Sequence, residues 1–213
     1  MPRDRLAGGG CATDFGPHLL DWARQVGGEI ESVSAVTRCL EPVRREYDDA
    51  GNVVEEIDAD ADDTFFAHLQ FADGVVGSFG FSAGGHGDPI ALPGGRAVYG
   101  SGGCLRQGEA ILDDGTRSPV EDLYFKSADP EEVAARFPLG LRDAFGLETH
   151  QFVEAVMTGQ EPELSGEEGL RDLAAAFAIH ESALARCEVR VDDVESGAVS
   201  AYQDELNERW GIS

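Results

Sequence analysis

The densest run of chemistry-bearing residues opens the chain: Gly8-Gly9-Gly10-Cys11-Ala12-Thr13-Asp14-Phe15-Gly16-Pro17-His18-Leu19-Leu20-Asp21. Asp14 and His18 are four apart, the spacing that puts two side chains on one face of a helix. A carboxylate beside an imidazole orients the ring and shifts its protonation towards neutral pH. Such a pair can take a hydroxyl proton while a carbinol carbon is oxidised, or return it during reduction. Glycines ahead of the pair let a ligand approach the backbone closely. The same spacing also occurs in surface pairs that do nothing. Pro17 leaves the local geometry open: it either starts a helix at its own position, leaving Asp14 in the preceding turn, or kinks a helix already begun.

The elements that must carry this segment follow from periodicity. Leu19, Leu20, Ala23 and Val26 recur at helical spacing, and Gly27-Gly28 ends that helix. Ile30 to Leu40 reads as a strand, with Val33, Ala35, Thr37 and Cys39 on one face. The acidic stretch from Glu41 to Asp63 reads as an exposed loop or frayed hairpin. Phe65, Ala67, Leu69 and Phe71 alternate with Phe66, His68 and Gln70, Asp73-Gly74 follows, and then Val75, Gly77, Phe79 and Phe81. Two alternating runs around Asp-Gly predict a hairpin. Arg96 to Leu112, turning at Gly102-Gly103, predicts a second one. Beyond Pro130 the period lengthens to three or four. One helix ends at Gly159, and a long core helix follows with Leu170, Leu173, Ala174, Phe177, Ala178, Glu181 and Leu184 on a single stripe. Helix, antiparallel strands, then helices is an α+β order: a mostly antiparallel open sheet with helices on one face, in one domain over residues 1–213.

Composition narrows the function classes. The formal charge is −25, from 41 acids against 16 lysines and arginines. That field repels nucleic acid and anionic membranes. It suits a solvated surface in high salt, so a halophilic source is expected. No apolar run reaches membrane-spanning length, and a cytoplasmic protein is expected. The four cysteines form no closely spaced pair, which argues against a zinc site, and no metal is expected.

The stretch GGGCATDFGPHLLDWARQVGG resembles the GGG-x-x-x-D-x-G-x-H-x-x-D segment of the glucose–fructose oxidoreductase/inositol dehydrogenase (Gfo/Idh/MocA) family. LQFADGVVGSFGFS looks like that family's central hairpin, RAVYGSGGCLR like its strand–Gly–strand turn, and HQFVEAVMTGQEPELSGEEGLRDLAAAFAIHESAL like its two closing helices. The resemblance implies a substrate-binding half of an NAD- or NADP-dependent oxidoreductase acting on a sugar, polyol or cyclitol. It implies that Asp14 and His18 face the substrate as catalytic and binding residues, and that Gly8, Gly9 and Gly10 line the cleft. It also implies a homo-oligomer built through the open sheet face. His86 and His150 are further candidates for substrate contact. The family's Gly-rich cofactor turn and its Glu-Lys-Pro motif do not occur in these 213 residues. The expectation is a chain that needs a separate nicotinamide-binding domain and does not bind NAD(P) alone. The alternative is a non-catalytic ligand-binding or oligomerising module.

Overall fold

A computed structural model describes residues 4–85 and 95–212. In chain order the elements are α1 (Cys11–Asp14), α2 (Gly16–Gly27), β1 (Ile30–Arg38), β2 (Val43–Tyr47), β3 (Val53–Asp58), β4 (Thr64–Phe71), β5 (Val76–Ser82), β6 (Ala97–Gly100), β7 (Gly103–Arg106), β8 (Glu109–Leu112), β9 (Arg117–Pro119), α3 (Val120–Ser127), α4 (Pro130–Arg136), α5 (Ala144–Thr158), α6 (Gly166–Ala185), β10 (Val189–Arg190), α7 (Val191–Glu195) and α8 (Ala201–Trp210). They form two compact units, one of residues 1–91 with 166–213, the other of residues 92–165.

The first unit is an antiparallel sheet ordered β10-β1-β4-β5, with helices on one face. Strand alternation decides which face is buried. Phe65, Ala67, Leu69 and Phe71 of β4 point inward beside Val33 and Ala35 of β1 and Phe79 and Phe81 of β5. Each large side chain so buried stabilises the fold by about 1.5–3 kcal/mol. On the outer face Val36, Phe66 and Val76 stay exposed. There the Phe66 ring lies over Gly80, so close that a Cβ at residue 80 would sit 2.6 Å from it. β2 and β3 pair only with each other, as a projecting hairpin.

α6 packs on this sheet through its small residues. Ala174, Ala175, Ala176, Ala178 and Ile179 are buried, whereas Leu170, Leu173 and Leu184 of the expected stripe are exposed. Close approach of a helix to the β1 backbone selects alanine over leucine. The contact is tight enough for the Ser182 hydroxyl to accept the Ala35 amide of β1 at 2.8 Å.

The second unit is the meander β6-β7-β8-β9 with α3, α4 and α5. The expected hairpin here is cut shorter. Gln107 and Gly108 both take positive φ and turn the chain between β7 and β8. That two-residue turn carries Gln-Gly in place of the Asn-Gly or Asp-Gly that would have announced it.

Candidate active site

Gly10 is extended at φ 126, a conformation that suits glycine, and α1 begins immediately after it. The Thr13 hydroxyl lies 3.2 Å from the carbonyls of Gly8 and Gly10 and staples the turn. α1 runs only four residues before Phe15 breaks the ladder, and α2 resumes at Gly16. Pro17 has no N–H to return to the Thr13 carbonyl, which accounts for the break. The outcome combines the two geometries that Pro17 left open: a short helix precedes it, and Pro17 stands in the first turn of a new one. Asp14 ends the first segment and His18 lies in the first turn of the second. α2 is fastened independently of α1. Leu20 and Ala23 are buried in the core, and the Arg24 guanidinium reaches Glu29, Glu168 and Asp172 at 2.9, 2.6 and 2.9 Å. Hydrogen bonding to Arg24 lowers the pKa of Glu168. At Asp172 burial outweighs the same arginine and the pKa rises.

Asp14 and His18 are both exposed. Among the described residues neither side chain has a hydrogen-bond or ion-pair partner. The carboxylate that satisfies the N-terminus of α1 comes from far along the chain. Asp62 accepts the Ala12 amide and the Cys11 thiol, each at 3.0 Å, on Oδ2, and its main-chain carbonyl accepts the Cys11 amide at 2.9 Å. Capping therefore does not consume Asp14. Phe15, between the two candidates, stacks on Phe81 at 4.6 Å and 22°, and Phe81 stacks in turn on the core residue Phe65.

Asp62 and its neighbour Asp63 correct the expectation of an exposed acidic stretch. The β2–β3 hairpin is exposed, but Asp62 and Asp63 are only 7% and 2% exposed. Asp63 accepts the Leu40 and Glu41 amides at 2.8–3.0 Å and closes the other end of that excursion. Behind Asp62 stands His180, 3% exposed, its ring stacked on Tyr202 at 4.2 Å and 4°. Its Nε2 lies 3.8 Å from Asp62 Oδ1 and has no hydrogen-bond partner. Burial lowers the His180 pKa and pushes the Cys11 thiol far up, so Cys11 remains a thiol donor. Glu181, next to His180, is 1% exposed and accepts the Tyr202 amide at 2.9 Å at the start of α8.

His150 sits half-buried on α5 in the second unit. His86 lies outside the described residues. His68 points outward on β4 and meets Ser78 Oγ at 3.0 Å. Two concavities of the first unit lie elsewhere. One of about 400 Å³ is lined by Arg24, Glu29, Arg171, Arg190 and Asp192 among others, and one of about 280 Å³ lies at the base of the β2–β3 hairpin. Neither is lined by Asp14 or His18. Among the described residues no group of three potential ligands is placed to hold a metal, and no helix is long and apolar enough to cross a membrane.

A dinucleotide's diphosphate needs free amides at a helix N-terminus. The Cys11 and Ala12 amides, directly after the glycine triplet, are already taken by Asp62, itself an anion. Gly100-Ser101-Gly102-Gly103 joins two strands and no helix. Neither glycine run fits a diphosphate.

Residues 2–106 match the family model described as the GFO/IDH/MocA C-terminal domain. Solved structures share the fold. Levoglucosan dehydrogenase in complex with NADH and levoglucosan is 23% identical with a TM-score of 0.62; the match covers 87% of this chain and 51% of that one. An oxidoreductase from Agrobacterium radiobacter in complex with NAD+, L-tartaric acid and magnesium is 20% identical with a TM-score of 0.55, covering 84% and 48%. An oxidoreductase domain protein from Kribbella flavida is 21% identical with a TM-score of 0.59, covering 87% and 52%. The chain thus spans about half the length of these structures. No curated protein matches it in sequence. Residues 2–106 thus match a C-terminal domain of the GFO/IDH/MocA family, within a fold shared with oxidoreductases of about twice this length.

Proposed function

We propose that this chain is the substrate-facing half of an NAD(P)-dependent oxidoreductase acting on a sugar or polyol, with Asp14 and His18 as its proton-handling pair. The observation that carries this reading is that both side chains are exposed and, among the described residues, unpartnered, while the helix of Asp14 is capped by Asp62. His18 would accept the hydroxyl proton as the carbinol carbon is oxidised. Asp14 would orient the imidazole and accept a hydrogen bond from a neighbouring hydroxyl. Gly8, whose missing Cβ would face open space, leaves room for a substrate against the backbone. The cofactor is assigned to a separate nicotinamide-binding domain, since neither glycine run here fits its diphosphate. The outer sheet face, with Val36, Phe66 and Val76 exposed, is the surface for a second copy.

The test joins the chain to a nicotinamide-binding domain and follows NAD(P)-linked oxidation of levoglucosan, L-sorbose and myo-inositol. His18→Ala is expected to lower turnover by about 10²–10⁴-fold. A change under about threefold would reduce His18 to scaffold. A second reading, a ligand-binding or oligomerising module without catalysis, draws on one observation: neither concavity is lined by the pair. Absence of turnover on every sugar, with binding retained, would favour it.

A further inference from the structure

We propose that Asp62 is the positioning residue that sets Asp14 against His18. The proposal rests on the reading of that pair as a substrate site. α1 has four residues, too few to hold a helical turn by itself. Its orientation must come from outside, and Asp62 meets its first two residues. Oδ2 takes the Ala12 amide and the Cys11 thiol, and the main-chain carbonyl takes the Cys11 amide. Oδ1 lies so close to Gly10 that no Cβ would fit there. Asp14 follows two residues after Ala12. His18 belongs to α2, which is anchored by Leu20, Ala23 and Arg24 and owes nothing to Asp62. The two members of the pair therefore hang from different anchors, and the Asp62 contacts determine where the first stands relative to the second.

Asp63 supplies the control. It is equally buried and equally a carboxylate, but it serves Leu40 and Glu41. His180 supplies a signature of charge. Its Nε2 faces Asp62 Oδ1, with Arg5 and Tyr202 the other titratable groups beside it. Around Asp62 the remaining titratable groups include Cys11, Cys39, Asp60 and Asp63.

The experiment uses the 213-residue chain and the variants Asp62→Asn and Asp63→Asn. Amide exchange, the His180 ring signal across pH, and titration with levoglucosan followed at Asp14 and His18 are the three readouts. Asp62→Asn should speed exchange at Ala12 by about tenfold or more relative to Val33 and Leu69, as expected for a hydrogen bond to a charged acceptor. It should weaken levoglucosan binding by about tenfold and move His180 protonation to lower pH, because Asp62 favours the imidazolium. Asp63→Asn should leave Ala12, Thr13 and sugar affinity unchanged. Equal loosening by the two variants, or unchanged exchange at Ala12 in Asp62→Asn, overturns the proposal. If Asp62→Asn does not fold, Cys11→Ala removes one contact of the same carboxylate, and a shift confined to residues 10–14 decides in its place. Should levoglucosan, L-sorbose and myo-inositol all leave the wild-type Asp14 and His18 signals unmoved, the substrate reading falls. Asp62 is then judged on exchange and on the displaced Asp14 signal alone.

Discussion

His180 is a base kept from its proton. Its ring is stacked on Tyr202 and its Nε2 is sealed from water, so burial depresses its pKa below the ordinary 6.5. In the unfolded chain the same imidazole protonates normally. The unfolded state therefore takes up a proton first as pH falls through about 6.5, and stability drops from there downward. Above that pH the group contributes no pH dependence. His180→Phe keeps a ring against Tyr202 and removes the titration. Urea midpoints at pH 8, 6 and 5 should show wild type losing ground to the variant below pH 6.5, by at most about 1.4 kcal/mol per pH unit. Parallel curves for the two proteins would show that His180 takes its proton freely in the fold. None of this was legible in the sequence, where His180 was one histidine on a helix. Asp62 and Asp63 were hidden for a related reason. They end an acidic run that reads as solvated surface, and their partners lie about 50 and about 23 residues back, at Ala12 and Leu40. Asp14 and His18 stood out because their signal is local.

At the scale of elements, what sequence shows best is alternation. The β4–β5 hairpin was readable because inward and outward residues alternate on both sides of Asp73-Gly74, and α5 ends where Gly159 takes a left-handed φ of 70°. Pattern placed only part of the buried face of α6. There Ala174, Ala178 and Glu181 of the expected stripe are buried, whereas its leucines Leu170, Leu173 and Leu184 are exposed, because proximity to β1 selects small residues. Glu181 was visible as the one acid in that stripe, but its purpose sits 21 residues further on. It is the anion that receives α8: the Tyr202 amide donates to it at 2.9 Å, and the Ala201 and Gln203 amides oppose the rise in pKa that burial causes. Glu181→Ala leaves the buried Tyr202 amide without its acceptor and should cost about 1–3 kcal/mol. Exchange at Tyr202 and Gln203 should accelerate well before that of the sheet. If they exchange only with global unfolding, α8 is held by other contacts. Glu181→Gln, which keeps a carbonyl, should lose less.

Over the whole molecule the governing number is the formal charge of −25. Arg24, Arg45, Arg117, Arg136, Arg142, Arg171 and Arg190 each contact a carboxylate, yet 16 cations cannot balance 41 acids. Salt acts on both sides of this balance. It weakens surface ion pairs worth about 0–1 kcal/mol each, and it screens the repulsion among the uncompensated acids. The excess of acids makes the second effect the larger. In about 2 M KCl the Debye length is roughly 2–3 Å. Relief of about 2 kcal/mol would raise Tm by about 4–8 °C. A Tm unchanged or lower in KCl than in dilute buffer would leave the acidic composition without the halophilic explanation. The sequence displayed this charge openly, because net charge needs no fold to be counted.

The anchoring of Gly10–Ala12 by a residue 50 positions downstream has a consequence in time. During synthesis the glycine triplet is made well before the carboxylate that caps α1. That turn acquires its geometry only when β1, the β2–β3 excursion and the start of β4 have brought Asp62 back to it, a loop closure whose entropy must be met by sheet pairing. Residues made ahead of the sheet are thus ordered only with it, and the proposed chemistry at Asp14 and His18 waits on the pairing of β1 with β4.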